Sequence, residues 1–321
     1  MQSFGRFRYL YIVKAIRHLL LLSFLACATA LYADHTFAVI ISGGRSKLFN
    51  HERYWNDCAF LYRTLRQTYG IPKEHITLLM ADGNNPADDQ LTDGATGLAS
   101  SPTDLDGDGE ADLALAATRQ NIDDTFRQLA TRLGANDHLF LFITDHGECD
   151  QQGNVHLWLW GNEALGPREL AAMVGQCHPA TMNILMGQCH SGAFTESLQG
   201  EGRIITTACA AGQMSWACKE RPYDEFVYHW ICAIAQHDET GQAVIADADG
   251  DGCVNMQEAY DYALRHDCRP ETPSLDALPA DIATQWSFTG MRNSISPPRV
   301  PTPTYDVPFI YDLQGRMIRK K

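Results

Sequence analysis

Two segments of this sequence contain the residue types needed to cleave an amide bond through a thiol nucleophile. Residues 144–147 (TDHG) follow one apolar run, and residues 187–192 (GQCHSG) follow another. A cysteine attacks as its thiolate and needs a base nearby, and an imidazole can also protonate a departing amine. Gly147 has no side chain, so its N–H can approach a developing oxyanion, together with the N–H of Cys189. The pattern predicts a catalytic pair of His146 and Cys189.

Each of these residues also has a simpler explanation. A single cysteine at the end of a strand is most often a small buried apolar residue, and His-Gly is common in loops. Cys209 and Cys149 are competing thiols, because one follows a predicted strand and the other follows His146 by three residues. His190 is a poorer candidate for the base, since neighbours on an extended backbone point to opposite sides.

The candidate pair lies between elements whose pattern indicates an α/β fold. Apolar runs predict strands at 37–41, 75–80, 138–144, 182–186 and 203–208, and an alternating pattern at 154–160 predicts part of a hairpin. Helical spacing predicts helices at 52–69, 114–133, 167–174 and 224–236. Strands that are apolar throughout and alternate with helices favour a mostly parallel sheet covered on both faces. In such sheets the functional site lies beyond the carboxyl ends of the strands, where both motifs stand.

Three strings give the chain a resemblance to a known family. They are DHLFLFITDHG (137–147), NILMGQCHSG (183–192) and RIITTACAAGQMSWAC (203–218), within a similarity that runs in order from about residue 36 to about residue 237. The chain resembles the legumain family of cysteine peptidases in the caspase-like clan. The resemblance implies a caspase-like three-layer α/β/α sandwich with a mostly parallel central sheet. It also implies peptide hydrolysis through an acyl-enzyme, with His146 and Cys189 as the catalytic pair and Gly147 in the oxyanion site.

The same resemblance implies a substrate pocket with one departure from the family. An Asn-x-Arg stretch supplies a residue that orients the histidine and an arginine in the specificity pocket. The matching stretch here is 50–53, so Arg53 matches the arginine, and His51 or Asn50 takes the other position. Asp224 matches an acidic pocket residue, but Gly187 stands where the family has a second acid. The pocket could therefore take a primary amide, an acidic side chain or a basic one.

Two Asp/Gly-rich segments have the spacing of calcium loops. Residues 247–258 fit the twelve-residue EF-hand pattern, and a helix is predicted at 259–266. The expected ligands are Asp247, Asp249, Asp251, the Cys253 carbonyl and Glu258. Residues 104–112 offer Asp104, Asp106 and Asp108, with Asp112 or a distant ligand completing the set because Leu115 occupies position 12. Calcium is the predicted cofactor, in a structural role, and no organic cofactor is expected. The alternative is a pair of metal-free turns.

Composition limits the partners and the compartment. The chain has 321 residues and a net charge of −14, and 45% of its residues are hydrophobic. A polyanion of this kind argues against nucleic acid as a partner. Residues 1–30 have the basic start, apolar run and small residues of a signal peptide, and removing their four basic residues leaves a net charge of −18. A membrane anchor and a lipidated Cys27 are the alternatives. The sequence after the signal has no other long apolar run, so no membrane span is predicted once the signal is removed.

The last part of the chain departs from globular composition. The peptidase domain is expected at 35–290, a Pro-rich linker at 291–308 and a short tail at 309–321. The tail resembles the start of the C-terminal sorting domain of Bacteroidetes type IX secretion substrates, although it is shorter; the alternative is a disordered basic tail. The resemblance implies export to the periplasm, surface or medium of a Gram-negative bacterium.

These features lead to two hypotheses of different kinds. The first is an exported, calcium-stabilised cysteine endopeptidase that acts on peptides or proteins. The second is an inactive calcium-dependent surface binding module on the same fold, which Gly187 favours. Once Cys27 leaves with the signal, nine cysteines remain, and the absence of a C-x-x-C pair argues against a structural zinc site. Disulfide pairing and oligomeric state do not follow from the sequence.

Overall fold

The long apolar runs form the central sheet of the protein. The computed structural model describes residues 35–92 and 97–291, with short backbone segments at 310–311 and 317–318. The sheet has six strands: β1 (Thr36–Ser42), β2 (Ile76–Met80), β3 (His138–Thr144), β4 (Thr181–Met186), β5 (Arg203–Thr207) and β6 (Ser274–Leu278). Their spatial order is β6-β5-β4-β3-β1-β2, and every pairing is parallel except that of β6 with β5.

Helices cover both faces of this sheet. The longer ones are α1 (Glu52–Arg63), α2 (Arg119–Arg132), α3 (Pro167–Val174), α4 (Glu225–Ala235) and α5 (Met256–His266). Shorter helical segments lie at Thr64–Thr68, Lys73–His75, Trp160–Asn162, Ser191–Phe194, Thr195–Leu198 and Ile282–Gln285. A three-stranded antiparallel ladder joins Gly147–Cys149, Val155–Leu159 and Glu163–Leu165. Two-residue ladders pair Gln90–Leu91 with Leu98–Ala99, Trp286–Ser287 with Gly290–Met291, and Ile310–Tyr311 with Met317–Ile318.

Strand alternation divides the interior into two hydrophobic cores. Phe140 and Phe142 of β3 pack with α1, α4 and α5 on one face of the sheet. Leu139 and Leu141 pack with α2 and α3 on the other face. Successive strand side chains point to opposite faces, so only a strand apolar in every position can serve both cores. The predicted α/β class with a three-layer, mostly parallel sandwich is confirmed.

Several boundaries differ from the expectation, each for a local reason. The helix predicted from residue 114 begins at Arg119, because the Thr118 side chain caps it by accepting the Asn121 N–H and residue 115 instead forms a bridge to β2. The helix predicted at 259–266 begins at Met256, after a capping box formed by Asn255 and Glu258. Strand β6 was not predicted, since Ser274–Leu278 is only partly buried and lacks an apolar run.

The proposed signal peptide at 1–30, most of the linker at 291–308 and most of the tail at 309–321 lie outside the described residues. From Thr36 onward the described chain forms a compact unit of its own. Among the described residues, no helix combines the length and apolar character needed to cross a membrane.

Candidate active site

The register of two neighbouring strands brings His146 and Cys189 to one edge of the sheet. Ile143 of β3 lies opposite Met186 of β4, and the Gly187 N–H donates to the Ile143 carbonyl at 2.7 Å. His146 and Cys189 each come three residues after that paired position. Equal offsets from a parallel pair leave the two residues at the same level, beyond the carboxyl ends of the strands.

Beyond the sheet, the two segments remain in direct contact. A Cβ built on Gly147 would lie 1.9 Å from the Cys189 carbonyl oxygen, so only glycine permits this approach. The Trp158 N–H donates to the His146 carbonyl, so Gly147 and Leu157 form a non-hydrogen-bonded pair of the antiparallel ladder. In such a pair, neither residue donates its own N–H to the opposite strand. The Gly147 N–H therefore lies beside the thiol-bearing residue without a role in that ladder.

The His146 imidazole is held from one side by a main-chain oxygen. Its Nε2 lies 2.9 Å from the Phe49 carbonyl, so Nε2 carries the proton and donates it, which leaves Nδ1 as the basic nitrogen of the neutral ring. The Tyr54 hydroxyl lies 3.4 Å from Nε2 and 3.5 Å from Nδ1. Burial, followed by the positive charge of Arg53, lowers the pKa of His146 to about 4. The resting imidazole is neutral at physiological pH.

Cys189 is buried, with 7% of its surface exposed, and its sulfur faces donors from a third segment. The Ser215 N–H donates to Sγ at 3.3 Å and the Ser215 hydroxyl lies 3.6 Å away. These contacts tie the Cys189 side chain to the chain after β5. A Cβ on Gly192 would lie 2.8 Å from the Ala211 nitrogen, so this glycine lets the turn after Cys189 pack against the chain that leads to Ser215.

Asp145 links the carboxyl ends of β1 and β3 next to His146. Its carboxylate accepts the N–H groups of Gly44, after β1, and of His146. Its φ is +116°, a backbone conformation that costs energy for a residue with a side chain. Burial, opposed by these two hydrogen bonds, raises the pKa of Asp145 to about 7. A residue held in this way fixes the direction in which the chain leaves β3.

A buried charge cluster lies next to the pair. Arg53 Nε donates to Asp224 Oδ1 at 2.9 Å, and the Thr144 hydroxyl donates to the other Asp224 oxygen at 3.2 Å. Asp57 accepts the Asp224 N–H through both of its oxygens, at 3.3 and 3.4 Å. Burial raises the pKa of both carboxyls, that of Asp57 well above its usual value with the Asp224 charge adding to the effect, whereas Arg53 opposes the rise at Asp224. Asp57 is thus the protonated carboxyl, and Asp224 carries the charge that pairs with Arg53.

The structure also accounts for the missing acid at position 187. A Cβ on Gly187 would lie 2.6 Å from a Val227 methyl and 3.2 Å from the Thr144 hydroxyl. Val227 of α4 therefore fills the space that a side chain at 187 would need. The departure from the family pattern is accommodated by packing and leaves no vacant space.

Residues 49–51, which precede α1, make contacts around His146 that the sequence pattern did not predict. The Asn50 amide donates to the Asp89 carbonyl at 3.0 Å, and the His51 ring meets the His146 ring edge-on at 5.8 Å. The nearest hydrogen-bond partner of the His146 imidazole in this stretch is the main chain of Phe49.

Sequence reasoning did not select Tyr54, Asp57, Asp145 or Ser215. One signal was present, because Asp57 lies three residues after Tyr54 and four before Leu61, on the apolar face of the helix, where an acidic residue is unusual unless it has a buried partner. The contact of Ser215 with Cys189 had no such signal, since it depends on how the chain folds back after β5.

The acidic loops form two clusters of carboxylates. Asp104, Asp106 and Asp108 have carboxylate oxygens within 4.8 Å of one another, and so do Asp247, Asp249 and Glu258. The loops share one backbone pattern: Asp247 accepts the N–H groups of Gly250 and Gly252, and the first Asp of the other loop accepts those of two glycines at the same spacing.

The remaining expected ligands occupy other places. The Asp251 carboxylate accepts the Cys253 N–H at 2.8 Å and lies outside the second cluster. Asp112 is engaged by Lys73 at 2.8 Å and by the Tyr62 hydroxyl at 2.7 Å, apart from the first cluster. Loop 247–258 leads into α5, but residues 238–246 before it form no helix. This segment is therefore a loop with only the second helix of an EF-hand.

Comparison with known families identifies the chain. The family model described as Peptidase C13 family matches residues 36–247, which include β1 to β5 and both strand-end motifs. The chain belongs to the Peptidase C13 family. Membership implies cysteine-peptidase activity and a peptide or protein substrate. A comparison with curated proteins finds no match.

Proposed function

We propose that this C13 family member is an exported, calcium-binding cysteine endopeptidase in which Cys189 is the nucleophile and His146 the general base. The observation that carries the proposal is the equal offset of the two residues from the Ile143–Met186 pair, together with the close contact of Gly147 with the Cys189 main chain.

In the proposed mechanism, His146 Nδ1 takes the thiol proton as Cys189 Sγ attacks the substrate carbonyl carbon. Because the low pKa of His146 keeps the ring neutral, proton transfer accompanies attack and does not precede it. The N–H groups of Gly147 and Cys189 receive the oxyanion. The imidazolium then protonates the departing amine, which leaves a thioester on Cys189. Water attacks the thioester with His146 again as base, and the thiol and the new carboxylic acid are released.

For the residue before the scissile bond, we propose a primary amide side chain. Arg53 and Asp224 form an ion pair without net charge, and Asp57 behind them is protonated. Such a pair offers both N–H donors and carboxylate acceptors, which matches an amide better than a charged group. His51, whose ring meets that of His146, is assigned to the same pocket. Substrates that differ only by Asn, Asp or Arg at this position should be cleaved fastest with Asn; faster cleavage after Arg or Asp would contradict the pocket assignment.

For the acidic loops we propose calcium. Both clusters consist of oxygen donors close enough for one ion at about 2.3–2.6 Å from each ligand. The glycine at the sixth position of each loop has a positive φ, +91° at Gly109 and +88° at Gly252, as the sharp turn of a calcium loop requires. Burial and the neighbouring carboxylates, Asp112 foremost, raise the pKa of Asp106. A divalent cation would relieve that repulsion.

Export is proposed from the residue pattern of positions 1–30, and the compartment would suit loops that need millimolar calcium. Expression in a Gram-negative host followed by N-terminal sequencing of the periplasmic product tests it. The expected result is a new N-terminus near residue 31; an intact Met1 on a cytoplasmic product would contradict export.

The decisive test of catalysis uses purified protein and a fluorogenic peptide library. Cys189→Ala and His146→Gln should each lower kcat/KM by at least about a thousandfold. Cys149→Ala, which removes an exposed thiol in a neighbouring hairpin, should retain the activity. Iodoacetamide should modify Cys189 in parallel with the loss of activity. Unchanged turnover in Cys189→Ala would reject the mechanism, and calcium-dependent protein binding without turnover of any peptide would favour the inactive binding module.

A further inference from the structure

The main-chain oxygen that holds the His146 imidazole belongs to an exposed turn after β1. Phe49, whose carbonyl lies 2.9 Å from His146 Nε2, is 40% exposed, and Leu48 before it is 60% exposed. In this turn the N–H groups of Phe49 and Asn50 donate to the Ser46 carbonyl. Exposed segments with few buried apolar contacts open easily, so burial does not explain why the Phe49 carbonyl stays on the imidazole.

One arginine contacts two residues whose main chains hold His146. Phe49 holds it through its carbonyl, and Trp158 holds it through its N–H, which donates to the His146 carbonyl at 2.9 Å. The Arg45 guanidinium lies over both rings, 4.6 Å from the Phe49 centroid and 4.1 Å from the Trp158 centroid. A cation over an aromatic ring is attracted by the negative face of that ring. Arg45 therefore links the turn after β1 to the hairpin strand that carries Trp158.

Further contacts fix the Arg45 side chain in this place. Its Nη1 lies 3.6 Å from Glu148 Oε2, and the same Glu148 oxygen accepts the Trp158 indole N–H at 2.9 Å. Its Nε donates to Asn162 Oδ1 at 3.4 Å, and the Arg45 carbonyl accepts the Asn162 N–H at 3.0 Å. The side chain is 27% exposed, so solvent screens these contacts only in part. Glu148 and Asn162 therefore fix the direction of the guanidinium in addition to the two rings.

The backbone at the start of the turn supports the same conclusion. Arg45 has a φ of +48°, in the left-handed region that is unfavourable for a residue with a side chain. A conformation of this kind persists only where its surroundings hold it. A Cβ on Gly43 would lie 1.8 Å from the Trp158 carbonyl oxygen, so the chain after β1 runs directly against the hairpin strand. The partners of Arg45 on the hairpin side therefore hold the turn in this conformation.

We propose that Arg45 is a positioning residue for His146 in the peptidase reaction. It acts through the Phe49 ring, because a Phe49 main chain that is held in place keeps its carbonyl on Nε2. The proton of the neutral imidazole then stays on Nε2, and Nδ1 takes the thiol proton. Without Arg45 the turn would lose its link to the hairpin, and the imidazole would populate both neutral tautomers. The kinetic consequence rests on the proposed function, whereas the tautomer of His146 can be measured without turnover.

The kinetic test compares Arg45→Met with the parent enzyme. Methionine keeps an apolar side chain but no charge, so kcat should fall by at least about tenfold while KM stays within about twofold, because Arg45 contacts no substrate in the proposed mechanism. Arg45→Lys, which keeps a cation over the rings, should recover part of the loss. Arg132→Met is the matched control, since that guanidinium lies over the Phe37 ring at 5.2 Å, at the amino end of β1, and its loss should leave kcat unchanged.

The second measurement uses the Cys189→Ala protein, which lacks the proposed nucleophile. Nitrogen-15 NMR of the labelled histidines near neutral pH reports which ring nitrogen of His146 carries the proton, and the His146→Gln variant identifies its signals. The Cys189→Ala protein should show the Nε2–H form. Adding Arg45→Met should give a mixture of the two neutral forms, adding Arg45→Lys should give a smaller change, and adding Arg132→Met should give none.

Three results would overturn the assignment. They are equal kcat values for Arg45→Met and Arg132→Met, a loss that appears in KM with kcat unchanged, and an unchanged Nε2–H signal of His146 in the protein with Arg45→Met. If the parent protein cleaves no peptide, the proposed function fails, and the NMR measurement alone then decides whether Arg45 positions His146.

Discussion

The strand-end site and the two acidic loops are assembled in opposite ways. The strand-end site draws on residues from 44 to 224, which are carried by the ends of β1, β3 and β4, by α1, and by the chain after β5. Each acidic cluster draws on at most twelve consecutive residues, and the two loops repeat the same Asp and Gly hydrogen bonds.

The difference shows where each site is vulnerable. A loop whose ligands are neighbours in sequence can be altered with local consequences. A site built from distant segments and containing buried charges transmits any change to several partners, because a buried polar or charged group that loses its partner is costly to leave unpaired.

The contact between Gly147 and Cys189 should tolerate no added atom. Gly147→Ala would place a Cβ 1.9 Å from the Cys189 carbonyl oxygen, so the segments must separate and the proposed oxyanion N–H must move. We expect kcat/KM to fall by at least about a hundredfold. Gly212→Ala is the matched control, because its Cβ would meet no atom within 4 Å. Equal activities of the two variants would contradict the role given to this contact.

Removing one partner of the buried Arg53–Asp224 ion pair should lower the free energy of unfolding strongly. Arg53→Met leaves Asp224 charged and buried beside Asp57, and we expect urea unfolding to show a loss of about 3–5 kcal/mol. Arg127→Met, which breaks two exposed pairs on α2, should cost less than about 1 kcal/mol. The double variant Arg53→Met/Asp224→Asn should recover part of the loss. Equal losses for the exposed and the buried replacement would show that burial does not make the Arg53–Asp224 pair more sensitive than a surface pair.

Calcium should stabilise the protein through both acidic loops, and a substitution in one loop should abolish only the site in that loop. At a calcium concentration 100 times Kd, each site should stabilise the fold by about 2.7 kcal/mol, measured as a calcium-dependent shift in Tm. Calorimetry should find two sites, one of which disappears in Glu258→Gln. Glu110→Gln, an exposed position outside both clusters, is the control. Loss of both sites in Glu258→Gln would show that the loops are not independent.

The two buried titrating groups Asp145 and His146 should change how the unfolding free energy depends on pH, which is a smaller effect than those above. The pKa of Asp145 is about 7 against 3.8 in an unfolded chain, so between these values the native state holds the extra proton and the unfolding free energy falls as pH rises. The pKa of His146 is about 4 against 6.5, so its contribution rises with pH over that range. In the parent protein these two contributions nearly cancel between pH 4 and 6.5, so Asp145→Asn should leave a rise of up to about 1.4 kcal/mol per pH unit and His146→Gln a fall of similar size. Parallel curves for all three proteins would reject these assignments.

Much of this molecule follows from its sequence. Continuous apolar strands such as Phe140–Phe142 can exist only between two helical layers, so the α/β class and the location of the site at the strand ends were predictable. The acidic loops were equally visible, because an Asp and the glycines that bend back to it are neighbours and their geometry is local.

Only the folded chain decided how the distant groups meet. The one-to-one register of β3 and β4 places His146 level with Cys189, and the path of the chain after β5 brings Ser215 to the sulfur. The same holds for the Phe49 carbonyl on the imidazole and for Val227 in the space beside Gly187. Contacts of this kind depend on packing between elements far apart in sequence, and local residue spacing carries no information about them.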